Sequence, residues 1–375
     1  MTQSSQPATS SGRISWRKLQ RTALQKLLFA FAVSAVCLAQ SSLSTDRTEI
    51  DPAGYLNFAL DYVQVHAFRR TGVDWARIRE QALARVPRPQ STIETYDAIR
   101  FALAGLGDHR SSLVLTPALE SMESQLGRKP AANVPRRAPR SGPYSVRSSP
   151  EGRIVKSGGK TFALVVVTKC SCDDANLSTE YATKLQRVVA DLDQFHPSGW
   201  IVDLRGNAGE NMWPMLAGIG PVLGESDRVG ESLGTQTRFA WRYRDGSAAE
   251  GSGRAKSSAT VQGAAYRMAG TPRVAVLIDG TTGFAGEGVA IAFRGRANTR
   301  FFGEHTAGFS SMTETTLLAD GASLTLVTGV QVDRAGKLYF DGLDPDELVP
   351  AAAKMLPDDQ DEVLQQALWW LSMTS

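Results

Sequence analysis

Two glycine-rich stretches, each directly behind an apolar run, hold the residue types from which a reactive or binding site is built. The first, Arg205-Gly206-Asn207-Ala208-Gly209-Glu210-Asn211, follows Trp200 to Leu204 (WIVDL). Glycines behind a buried strand let backbone N–H groups face a ligand, which is how oxyanion holes and anion nests are made. Taken alone, the stretch also fits a tight turn with a helix beginning at Pro214. The second, Asp279-Gly280-Thr281-Thr282-Gly283-Phe284-Ala285-Gly286-Glu287-Gly288, follows Val274 to Ile278 (VAVLI) and leads on to Arg300 through Gly308. A strand, a sharp turn of small residues and a helix form the setting that exposes a catalytic nucleophile. No nucleophile stands at this turn.

The elements around these stretches alternate as in an α/β fold. Phe162 to Thr168 (FALVVVT) predicts a buried strand, and WIVDL and VAVLI predict two more. A helix opening at Ser178 places Tyr181, Leu185, Val188, Val189, Leu192 and Phe195 on one face. Ligands in such sheets gather at the carboxyl ends of the strands, where both glycine stretches fall. Upstream, residues 51–115 have helical periodicity, with Tyr55, Phe58, Ala59, Tyr62 and Val65 on one face. Ser91 and Glu94 there predict a capping box. Residues 127–156 contain five prolines and eight cations against the single acid Glu151, which predicts a linker or surface excursion. Asp320-Gly321 between strand-like arms predicts a β-hairpin. Residues 360–373 predict a closing amphipathic helix.

The segments Gly199 to Glu225 (GWIVDLRGNAGENMWPMLAGIGPVLGE), Val274 to Ser311 (VAVLIDGTTGFAGEGVAIAFRGRANTRFFGEHTAGFSS) and Leu103 to Leu113 (LAGLGDHRSSL) together resemble the tail-specific, or C-terminal-processing, serine peptidases. The resemblance implies a crotonase/ClpP-like ββα core at 157–375 behind a small helical domain, in the short branch without a PDZ domain. It also implies a peptide or protein substrate; no cofactor is expected, and with no cysteine in a CxxC pair or near a histidine at zinc spacing, no metal site is expected either. In that family the elbow turn reads T-A-S-S-G-E, with the first Ser as nucleophile. Phe284 occupies that slot here. The lead-in reads L-G-D-x-H-S with His as base, and Arg110 occupies its place. The second Gly of R-G-N-x-G-G-N is Glu210, while Glu314 matches the acid of the constellation. Gly209, Glu210 and Ala285 mark the expected oxyanion and peptide-binding wall.

Phenylalanine has no lone pair with which to attack a carbonyl, and an arginine side chain stays protonated. These substitutions predict a pseudoprotease that keeps a peptide-shaped cleft. Arg110 then pairs either with a peptide carboxylate or with Glu314. The alternative is an active serine peptidase with relocated parts, drawing on His109 or His305 and on Ser310 or Ser311.

Composition narrows the partners. The 375 residues carry 41 Lys and Arg against 38 Asp and Glu, a formal +3. Five of those cations, Arg13, Arg17, Lys18, Arg21 and Lys26, precede residue 40, where there is no acid, so the remainder carries −2. Nucleic-acid binding by bulk charge is thereby excluded. The same cations followed by Leu27 to Ala39 predict an export signal cut after Ala39, with an uncleaved membrane anchor as the other reading. Either way, the body is expected in the periplasm or outside the cell. Three cysteines are too few for a disulfide scaffold, and Cys170 and Cys172 are expected as ordinary thiols.

Overall fold

Continuous apolar runs become strands buried on both faces. The structure, a computed structural model, describes residues 50–127, 142–172, 174–251, 258–350, 352 and 354–373. The expected export segment, and residues 128–141 of the expected linker, lie outside the described residues. Residues 51–375 belong to one compact unit.

The described residues open with helices α1 (Pro52–His66), α2 (Trp75–Arg85) and α3 (Thr92–Ala104), strand β1 (Ser112–Val114) and helix α4 (Pro117–Gln125). Next come β2 (Glu151–Ser157), β3 (Lys160–Val166), α5 (Ala175–Asp193), β4 (Trp200–Asp203) and α6 (Met212–Leu223). Strands β5 (Ser226–Gly234), β6 (Arg238–Arg244), β7 (Ser247–Glu250), β8 (Ser258–Thr260) and β9 (Val274–Ile278) precede α7 (Ala285–Phe293). The chain ends with β10 (Thr299–Gly303), β11 (Ser311–Leu317), β12 (Ser323–Asp333), β13 (Leu338–Tyr339), β14 (Glu347–Leu348) and α8 (Glu362–Ser372).

One sheet runs in the order β14-β10-β9-β4-β3-β2, parallel throughout except for the β2–β3 hairpin. Its strand side chains alternate between two cores. Ala163, Val165, Val202, Val274, Val276 and Ile278 pack with residues of α5, α6 and α7. Phe162, Leu164, Val166, Ile201, Ala275 and Leu277 pack with Val363, Leu364, Ala367, Leu368 and Leu371 of α8. A sheet covered on both faces requires strands without polar alternation, which is why these segments read as unbroken apolar runs. Helix α7 is buried over its whole length and is apolar apart from Glu287.

The second sheet is antiparallel, in the order β1-β12-β5-β6-β7-β8, with β11 and β13 also paired to β12. The predicted hairpin is β11–β12, paired from Leu317 opposite Ser323. Its turn anchors the helical lead-in, because Tyr55 and Tyr96 both donate their hydroxyls to Asp320, at 2.9 and 2.7 Å. Burial, with the Asp320 carboxylate adding to it, pushes both phenols far above their ordinary range. Tyr55→Phe removes one hydrogen bond to a charged acceptor and is expected to cost about 1.5–3 kcal/mol. A lowered urea midpoint with an unchanged m value would register this loss; an unchanged midpoint would mean the contact carries no weight.

The structure departs from the sequence reading in several places, among them Phe58, Val65 and Phe195, which are exposed although placed on the apolar faces of their helices. From residue 142 onward the expected linker is part of the fold: Tyr144 is buried, and β2 begins at Glu151 and pairs along its length with β3. Prolines and cations obscure the strand, whose pairing with an apolar neighbour decides its fate. Ser91 stands at the N-cap of α3 without a side-chain cap bond, and Glu94 instead accepts from the Gln90 N–H at 2.8 Å. Finally, Cys170 and Cys172 form a disulfide in place of the expected thiols. The turn after β3 sets their Cα atoms 5.2 Å apart, inside the usual bridging range.

Candidate functional site

The loops behind β3, β4 and β9 converge around the start of α7. Asp279 organises the turn: its Oδ1 accepts the N–H groups of Thr281, Thr282 and Gly206 and the Thr281 hydroxyl. Thr282 also donates its hydroxyl to the Leu204 carbonyl, tying the turn to the end of β4. Phe284 then takes φ 48°, ψ −115° as the N-cap residue of α7. A bulky residue at positive φ is strained by about 1–3 kcal/mol and persists only where its surroundings fix it. This is the sharp strand-to-helix elbow from which a nucleophile is presented.

The elbow packs tightly on the glycine loop. A Cβ on Gly286 would lie 2.1 Å from the Asn207 carbonyl oxygen, so only glycine permits the approach. The Gly283 N–H donates to that same carbonyl at 2.9 Å. Two of the three backbone N–H groups on the expected oxyanion wall, those of Ala285 and Gly209, are occupied. The Ala285 N–H donates to the Gly209 carbonyl (3.2 Å), and the Gly209 N–H to the Asn207 side chain (3.0 Å). Glu210, next along the loop, is exposed.

Around Phe284 the chemistry is aromatic and cationic. Its ring, 39% exposed, stacks on Phe309 with centroids 4.5 Å apart. The Arg110 guanidinium carbon lies 5.9 Å from the Phe284 centroid and 4.9 Å from that of Phe309, within cation–π range. Arg110 is aimed by its own motif. Asp108 Oδ1 accepts the N–H groups of Arg110 and Ser111, and the Ser111 hydroxyl accepts the Val327 N–H of β12. Arg110 Nη1 donates to the Ser311 carbonyl at 2.7 Å and to Ser311 Oγ at 3.3 Å.

Glu287, in the first turn of α7, is the acid that holds Phe309 in place. Its carboxylate accepts the Thr306 hydroxyl and the N–H groups of Gly308 and Phe309. Burial pushes this carboxyl above its ordinary range, against the downward pull of those three bonds and of the Arg110 charge. The residue matching the family acid, Glu314, sits exposed on β11, and no hydrogen bond or ion pair to its side chain occurs among the described residues.

The relocated candidates are committed elsewhere. Ser310 is fully buried, donating to the Tyr339 carbonyl (3.1 Å) and accepting the Gly342 N–H (3.0 Å). Ser311 Oγ faces a guanidinium, which cannot take its proton. His305 places Nδ1 2.6 Å from the Thr306 carbonyl and Nε2 3.8 Å from Asp344, and His109 is exposed. No histidine is a hydrogen-bond partner of either serine among the described residues.

Behind the glycine loop lies a buried ionic cluster that sequence reading missed. Arg205 forks onto Asp203 at 2.9 and 3.0 Å and reaches Asp361 at 2.9 Å and Tyr144 at 3.1 Å. Arg147 joins Asp203 at 2.7 Å. Burial alone would raise the Asp203 carboxyl, but the two arginines outweigh it and hold the group down at about 2. The cluster fastens the residues before β2, the end of β4 and the start of α8 to one point.

The comparisons agree with this fold. The model of Peptidase family S41 matches residues 163–349, about half of the chain. The nisin-resistance protein of Lactococcus lactis subsp. lactis is 31% identical over 162 residues, 43% of this chain and 48% of the relative, so the match spans about half of that relative's length. Among solved structures, the photosystem II D1 C-terminal processing protease superposes with a TM-score of 0.50 at 17% identity, covering 84% of this chain and 96% of its own. A Parabacteroides merdae protein described as a candidate peptidase reaches 0.53 at 16% identity, covering 87% and 98%. The chain belongs to peptidase family S41, with the family's mixed α/β fold behind a helical N-terminal region.

Proposed function

We propose that this chain is an exported S41 homologue that does not hydrolyse peptide bonds and instead holds peptides or protein C-termini against the elbow. The observation that carries this reading is Phe284 at the strained elbow position, stacked on Phe309 and covered by Arg110. An aromatic pair beside a cation suits a C-terminal residue, offering an apolar platform for the side chain and a guanidinium for the carboxylate. The S41 family implies a peptide or protein partner. Export is supported by the basic-then-apolar segment at residues 13–39. No helix among the described residues is long and apolar enough to cross a membrane. The occupied oxyanion donors also favour binding over turnover, since an amide already bonded to Gly209 is not preorganised for a developing charge.

The test is peptide binding followed by fluorescence polarisation. From a pool of labelled peptides, those with a free C-terminal carboxylate and an apolar last residue are expected to bind about tenfold more tightly than their C-terminal amides. Arg110→Gln should abolish the difference. Equal binding of acid and amide forms, or no effect of the substitution, would contradict the reading.

A further inference from the structure

The Cys170–Cys172 bridge closes a ring of only three residues. The stabilisation a disulfide draws from chain entropy grows with the length of the loop it closes, so this bridge is nearly worthless as a staple. Its two halves differ in access: Cys170 is 1% exposed and part of the core, whereas Cys172 is partly exposed beside it. We propose that the pair is a thiol–disulfide exchange site for an external dithiol, and that its redox state sets the grip on the glycine loop walling the elbow. This rests on the backbone contacts described next and holds whether or not the site hydrolyses anything.

The exchange follows from access. A thiolate of the dithiol attacks Cys172 Sγ and forms a mixed disulfide, while the bond to Cys170 breaks and its electron pair leaves on Cys170 Sγ, which takes a proton. The second thiol of the reagent then attacks the mixed disulfide and releases Cys172 as a thiol. The protein cystine gains two electrons and two protons, and the dithiol becomes a disulfide.

The consequence follows from contacts. Residues 167–172 run alongside residues 207–211. Asn207 Nδ2 donates to the Val167 carbonyl at 2.8 Å, and a Cβ on Gly209 would lie 3.3 Å from Lys169 Cα. Asn211 donates its N–H to the Cys170 carbonyl at 3.3 Å and its Nδ2 to the Cys172 carbonyl at 3.5 Å, while its Oδ1 caps α6 through the Trp213 N–H. The disulfide keeps both cysteine carbonyls turned to Asn211. These two long bonds are the weakest of the series and the first to loosen once the ring opens. From Asn207 and Gly209 the loop bonds onward to Gly283 and Ala285, so the loosening reaches the elbow.

The experiment uses the full chain carrying Cys37→Ser, with and without excess dithiothreitol under native conditions. Alkylation is read by mass and amide hydrogen exchange by residue. The oxidised chain should take no iodoacetamide, and the reduced chain two equivalents, the first at Cys172 when alkylating agent is limiting. Exchange at Asn211 and Ala285 should rise about 3–10-fold on reduction, the worth of one hydrogen bond, with β12 unchanged. Cys170→Ser/Cys172→Ser should reproduce the reduced pattern without reductant. The proposal is overturned if the cysteines alkylate without reductant, if the bridge resists excess dithiol until the chain unfolds, or if exchange is the same in both states.

Discussion

Arg205→Met is expected to cost about 3–5 kcal/mol of stability, the usual consequence of removing one partner from a buried ion pair and leaving the other uncompensated. The side chain is about 2% exposed and serves two carboxylates at once. Without it Asp203 keeps Arg147 and the backbone N–H of residue 205, and Asp361 keeps only the Tyr144 hydroxyl together with its own helix-capping bond to the Leu364 N–H. Arg205→Lys should recover little, because an ammonium cannot reproduce the fork onto Asp203. Acid dependence should change along with stability. A carboxyl held at about 2 against an ordinary 3.8 contributes stability that is present in full above the ordinary value and disappears as pH falls through the lower one. The native chain should therefore lose this contribution between about pH 4 and 2, and the Arg205→Met chain should start its acid unfolding at higher pH. Urea titrations at pH 7 and pH 3 check both points. A difference below about 1 kcal/mol at pH 7 would mean that the cluster does not hold the fold together.

The second large effect is a gain of chemistry. Phe284→Ser puts a hydroxyl at the elbow, where φ 48° and the start of α7 aim it outward. By itself this serine should react slowly with a fluorophosphonate, because the group above it is a guanidinium that cannot accept a proton. Adding Arg110→His supplies a base, a component worth about 10²–10⁴ in rate. Turnover of peptides should remain well below that of an intact triad, since the Ala285 N–H is still bonded to the Gly209 carbonyl. A labelling rate in the double variant no higher than in the single would mean that residue 110 does not face the elbow in solution.

Much of this was legible in the sequence, and the unread parts share a cause. The apolar runs FALVVVT, WIVDL and VAVLI gave their strands directly, because a doubly covered sheet leaves no polar alternation to confuse the pattern. The elbow was legible too, since a strand followed by small residues and an apolar helix constrains the backbone locally. Phe309 and Glu287 were not read as site residues, although a lone acid inside AGEGVAIAF was a signal that a polar group had to find buried donors. The Arg147, Asp203, Arg205 and Asp361 cluster joins residues 214 positions apart, and nothing local announces it. Strands β5 to β8 are signalled only in part, where Trp241 and Tyr243 alternate ahead of an Asp245-Gly246 turn, a pattern that marks a hairpin. The disulfide was misread because spacing alone does not give the backbone turn that brings two cysteines together.

At the nucleophile position of the elbow, Phe284 offers no group able to form a covalent bond with a carbonyl or phosphorus centre. Incubating the purified, unsubstituted chain with a fluorophosphonate probe and weighing it intact tests this directly. The mass should stay unchanged, with an adduct appearing only once Phe284 is replaced by serine; an adduct on the native chain, mapped to Ser310 or Ser311, would show a working nucleophile instead.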